Sequence, residues 1–223
     1  MNLIGFLLGR EEELREIGLN VRPLYSALAV ALFFAFHASS LSMLGARLAC
    51  SSTAISERVL LFIKAKQILL LYAWVITAVS WGFTSTLIGI RVARRSNMRL
   101  RKYHYLMGMC SIPLAISGAV NTIILALSPG RILSCDGNSW KSLLLGTFSE
   151  IVSYLSSFPP ILSALVTLLS LSWFTYLAFR VYRVSVGLPR VDSFRYSLGF
   201  ASVFISLIFL IGFVLSLFTV LLP

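Results

Sequence analysis

Charge is scarce in this chain: only 12 % of its 223 residues are Asp, Glu, Lys or Arg, and 8 of those are acidic. Seven of the acids, Glu11, Glu12, Glu13, Glu16, Glu57, Asp136 and Asp192, fall in terminal or loop segments, and only Glu150 sits within an apolar stretch. Carboxylates at mid-depth are what proton pumps and cation-coupled carriers retain despite their cost in lipid, so their scarcity argues against that chemistry. Cysteine and histidine are scarce too, at 3 and 2 residues. No zinc spacing, phosphate-cradling glycine loop or nucleophile–base–acid set can be assembled from them, and an enzyme is not expected.

Apolar sequence is abundant. The hydrophobic fraction is 58 % and the mean hydropathy +0.89, which no ordinary water-soluble domain reaches. Five runs, Leu24–Ala46, Ile68–Ile90, Tyr105–Leu127, Ile161–Tyr182 and Tyr196–Leu222, each supply the roughly 20 helical residues needed to cross a hydrocarbon core of about 30 Å. The spans and their loops use up the chain, so the expectation is one all-α polytopic membrane domain over 1–223. The second run begins early, near Val59, and predicts a helical extension beyond the membrane that carries Lys64 and Lys66.

The net charge of +11 is distributed by loop. Thirteen of the 19 basic residues precede the first span or lie between spans two and three or four and five, including Arg91, Arg94, Arg95, Arg99, Arg101 and Lys102. The positive-inside rule therefore predicts a cytoplasmic N-terminus and an external C-terminus in a cell membrane, with the cluster from Arg91 to Lys102 against anionic lipid headgroups. Nucleic acid is not the partner these charges imply.

The opening MNLIGFLLGREEELREIG has no basic leader before its short apolar run, so no cleaved signal is expected. Its apolar residues, Leu3, Ile4, Leu7, Leu8, Leu14 and Ile17, recur at helical spacing and predict an amphipathic interfacial helix over 1–20. Between Pro129 and Pro160, the segment SLLLGTFSEIVSYLSSFPP reads as an external interfacial or kinked helix with Leu144, Phe148, Ile151 and Leu155 on its apolar face. Asp192 and Ser193 are suited to cap the last span.

Four sets of residues bear on chemistry. His37 and His104 are the axial pair a haem would need, yet their predicted depths differ by on the order of 18 Å. His104, Met107 and Cys110, with Met109, form a soft-ligand group suited to Cu(I), although methionine also fills gaps between helices. Cys50 and Cys135 fall in external loops where thiols oxidise and predict a disulfide. Thr77, Ser80, Thr84 and Ser85 could line a polar path, or else bond to their own helix backbone.

The stretch GIRVARRSNMRLRKYHYLMGM, in which a basic loop leads to a histidine followed closely by methionine, and the later YRVSVGLPRVDSFRYS before a last span, resemble small membrane proteins of the YozB or CtaM type. The resemblance covers about residues 68–223 and implies a link to maturation of haem-copper oxidases, with His104 the matching histidine. The sequence thus predicts a non-catalytic accessory, scaffolding or maturation subunit of a larger, respiratory membrane complex. A small-solute carrier or pore and a haem-binding redox subunit are the alternatives.

Overall fold

The computed structural model describes residues 2–20, 22–51, 57–129, 131–134 and 157–221. Eight helices account for nearly all of them: α1 (Leu3–Leu7), α2 (Glu11–Asn20), α3 (Pro23–Arg47), α4 (Glu57–Ser96), α5 (Leu100–Cys110), α6 (Ile112–Leu127), α7 (Phe158–Val184) and α8 (Arg190–Leu221). Among the described residues, five segments are long and apolar enough to cross a membrane: Pro23–Ser40, Trp74–Ser96, Leu100–Leu127, Phe158–Val184 and Arg190–Ile208. The chain is an all-α helical bundle, as its composition predicts.

The third span departs from the expected Tyr105–Leu127. It begins at Leu100 and is made of two helices that meet at Ser111. Pro113 accounts for the break, because its ring offers no N–H and collides with the carbonyl four residues back. Ser111 bridges the gap, its hydroxyl donating to the Gly108 carbonyl at 2.7 Å. The last span also starts earlier than Asp192 and Ser193 would place it. Pro189 comes just before the first helical residue, Arg190, and accepts from the Ser193 N–H at 2.9 Å. Asp192 and Ser193 are therefore first-turn residues rather than caps. Asp192 still sits where the helix dipole favours an acid.

One continuous helix of 40 residues, α4, spans and overshoots the bilayer, at roughly 60 Å against a hydrocarbon thickness of about 30 Å. The extension predicted from Val59 is helical.

The helices assemble through small residues and aromatic rings. α3 runs alongside α5 and α6 in the same direction, with Gly108 against Ser26 and Gly118 against Phe36 and His37. A side chain at Gly118 would place its Cβ 3.0 Å from the Phe36 carbonyl carbon, so the two backbones touch where only glycine fits. Midway through the bundle, Trp81 of α4 packs on Phe33 of α3, Phe174 of α7, and Phe200 and Phe204 of α8, with centroids 5.3–5.8 Å away. Outward faces carry large exposed apolar residues such as Leu28, Phe83, Ile123 and Leu169, the inverse of a water-soluble surface.

Because α3 and α6 point the same way, the segments leaving them emerge together. Leu48–Ser51 and Arg131–Ser134 pair as a two-stranded parallel ribbon, with Cys50 opposite Leu133. Cys135 and residues 142–156 of the predicted kinked helix, including Glu150, lie outside the described residues, and so does the predicted disulfide; Phe158, Pro159 and Pro160 belong to α7.

Candidate functional site

The buried face of α4 collects most of the polar groups that the sequence singles out. Thr77, Ser80, Trp81, Thr84, Ser85, Ile88 and Val92 recur every three or four residues and are all buried. Elsewhere in the bundle hydroxyls bond to their own helix: Thr122 donates to the Gly118 carbonyl at 2.8 Å, Thr167 to Ser163 at 2.9 Å and Thr175 to Leu171 at 2.8 Å. Ser80 and Thr84 do not. Their hydroxyl oxygens are fully buried and have no hydrogen-bond partner. Ser85, one residue on, meets Nδ1 of His104 at 2.7 Å. A polar seam thus descends α4 from mid-depth to His104, with Trp81 closing one side by its contacts to four phenylalanines.

The two histidines do not come together. His37 is level with Gly118, which lies about four helical turns beyond His104 on the same span. That separation is on the order of 21 Å along the axis, so the pair cannot clasp one haem within a single copy. The ring of His37 packs 6.0 Å from Phe33 instead.

His104, Met107 and Cys110 share α5, but six residues carry Cys110 roughly 9 Å along the helix and about 120° around it from His104. Met107 and Cys110 are buried in the core, while His104 turns to Ser85. The three do not form one ligand set, and among the described residues no three His, Cys, Asp or Glu side chains converge.

The starts of α3, α5 and α8 and the ends of α4 and α7 meet at one end of the bundle, which is strongly basic. Arg91, Arg94, Arg95, Arg99 and Arg101 are exposed there, and Lys102 is half-buried. Arg95 pairs with Asp192 at 3.0 Å, joining the end of α4 to the start of α8. Arg101 bonds to the Tyr105 hydroxyl. Among the described residues, Arg91, Arg94 and Arg99 have no acidic partner.

At the same end α1 and α2 form a hairpin against α7. The apolar periodicity of residues 3–17 is broken into two helices at Gly9, whose φ of +69° suits glycine. Phe6, Leu14 and Ile17 are buried in the protein core, so the face expected to lie on lipid is partly turned onto α7. Three side chains of the α7 segment donate to hairpin carbonyls: Trp173 Nε1 to Leu7 at 2.8 Å, Arg180 to Gly9 at 2.9 Å and 3.2 Å, and Ser185 Oγ to Leu14 at 2.6 Å. On the wet side of α2, Arg15 bonds Glu11 at 2.6 Å and holds its carboxyl below the ordinary carboxylate range.

Sequence reasoning missed these three donors. Their spacing down α7 was visible, but what they contact is 171 residues away for Arg180 and Ser185. Also missed was Asn121 of α6, which donates to Thr167 of α7 at 2.9 Å and fixes two spans against each other.

Five membrane-length apolar segments among the described residues, outward apolar faces and charge gathered at helix ends define a multi-pass helical membrane protein. No family model, curated protein or solved structure matches the chain.

Proposed function

We propose that this protein is a non-catalytic accessory, scaffolding or maturation subunit of a larger membrane assembly, with its basic end in the cytoplasm. The observation that carries this reading is the aromatic plug at mid-depth. Trp81 and the four phenylalanines around it fill the interior where a transport path would run, leaving the outer helix faces as the surfaces available for work. Gly82 and Gly199 face open space, and the neighbouring Ser202 and Ser206 are exposed, a texture that lets another helix approach closely. A respiratory partner rests on the resemblance around His104. Extraction in mild detergent should recover the protein with partner subunits in fixed ratio; a lone monodisperse monomer would refute the proposal.

A second reading, a small-solute carrier, is favoured by Ser80 and Thr84. Two fully buried hydroxyls without partners cost about 1–3 kcal/mol each unless something polar visits them. Uptake into liposomes by the purified chain, lost in Ser80→Ala/Thr84→Val, would establish it. No uptake across a broad solute panel would discard it.

A further inference from the structure

We infer that α1 is a wedge set into the acyl-chain region of one leaflet, the leaflet bordering the basic end, and that α7 tethers it at that depth. The inference does not depend on which partner the bundle serves.

Depth is set by the contacts with α7. That helix has 27 residues, roughly 40 Å, and overhangs a hydrocarbon core of about 30 Å by roughly 5 Å at each end when centred. Trp173 lies about three turns, roughly 16 Å, above the last helical residue, Val184. The Leu7 carbonyl it holds is therefore on the order of 10 Å inside the hydrocarbon. Arg180 holds Gly9 one to two turns lower, near the headgroup boundary where an arginine head can reach water. Ser185, just past the end of α7, holds Leu14 and places α2 at the surface.

The chemistry of the segment agrees with that depth. No charged residue occurs from Leu3 to Gly9, and charge resumes at Arg10. Phe6 faces the protein, whereas Leu3, Ile4 and Leu8 turn away from it at 45 %, 70 % and 57 % exposure. The backbone is provisioned for lipid. Asn2 accepts from the N–H groups of Ile4 and Gly5, its own N–H reaches Glu13, and the N–H groups of Phe6, Leu8, Gly9 and Arg10 all find carbonyls within the hairpin. Trp173 and Arg180 then cap the Leu7 and Gly9 carbonyls. Water could satisfy such groups at an exposed turn, whereas hydrocarbon cannot, and this hairpin leaves none of them to the solvent.

A tryptophan scan of the full-length protein in liposomes tests the inference. Ile4→Trp and Leu8→Trp are compared with Glu12→Trp on the exposed side of α2, after subtracting the emission of the unsubstituted chain. The added emission at positions 4 and 8 should be quenched by lipids brominated along the acyl chain, and several-fold less by iodide than the emission at position 12. In Trp173→Phe, iodide quenching at position 4 should rise as the tether is lost, while the bundle remains monodisperse. Quenching at positions 4 and 8 by iodide and not by bromolipid would overturn the wedge. Unchanged quenching in Trp173→Phe would overturn the tether.

Discussion

Two tyrosine hydroxyls meet 3.0 Å apart in the buried region near the basic end, Tyr103 from α5 and Tyr182 from α7. Both side chains are fully buried, so neither hydroxyl has water to fall back on. Tyr182→Phe should cost roughly 0.5–2 kcal/mol by orphaning Tyr103, and Tyr103→Phe/Tyr182→Phe should cost less than the two single changes added together. Thermal unfolding of the four proteins in detergent checks the cycle; strict additivity would mean that the hydroxyls are not coupled. Glu11 and Arg15 illustrate the opposite case. Their pair is solvent-exposed, and its small contribution holds above the ordinary carboxylate range and fades as pH falls through the lowered Glu11 pKa. At this scale the sequence was informative about residue type and silent about partners. His104 stood out from the sequence alone, but Ser85 as its neighbour did not.

Among the helices, contact between α3 and α6 is governed by Gly118, where an added Cβ would meet the Phe36 Cβ at 2.9 Å and backbone atoms of Phe36 and His37 at 3.0–3.1 Å. Gly118→Leu should force the two helices apart and lower stability by about 1–3 kcal/mol, seen as a reduced unfolding temperature. A neutral result would show that α3 yields easily. The same parallel alignment creates the ribbon of Leu48–Ser51 with Arg131–Ser134, which pairs Cys50 with a residue two positions before Cys135. The expectation that Cys50 and Cys135 are bonded in protein isolated without reductant rests on their external loops, because continuing this register would leave the two Cα atoms about 8 Å apart, too far to bridge without a turn after Ser134. Peptide mapping after alkylation would show the linked fragment, and free alkylation of both thiols would dismiss the bond. Among the described residues, helix existence was legible in all five long apolar runs, because runs of this length leave few alternatives. Helix ends at Pro113 and Pro189 were less so, since a proline's effect depends on whether the next span can absorb the break. The hairpin at Gly9 was hidden for another reason: one continuous apolar periodicity can be divided into two helices when a third element, α7, supplies the surface.

The whole molecule is polarised, with basic residues at one end and apolar faces along its length. Replacing Arg91, Arg94 and Arg99 together by Gln should weaken binding to anionic vesicles or nanodiscs, at about 1 kcal/mol per charge, and the difference should shrink at high salt. Equal affinity for anionic and neutral lipid in the unsubstituted protein would remove headgroup binding from the account. Among the described residues, the five helical segments of membrane length and the clustering of basic residues by loop were determined by the sequence itself, because lipid imposes a length and a polarity on every segment that crosses it. Which hydroxyls are orphaned and which carbonyls Trp173, Arg180 and Ser185 reach were decided only in the tertiary structure. They depend on how helices rotate and slide against one another, and residues far apart in the chain fix that together.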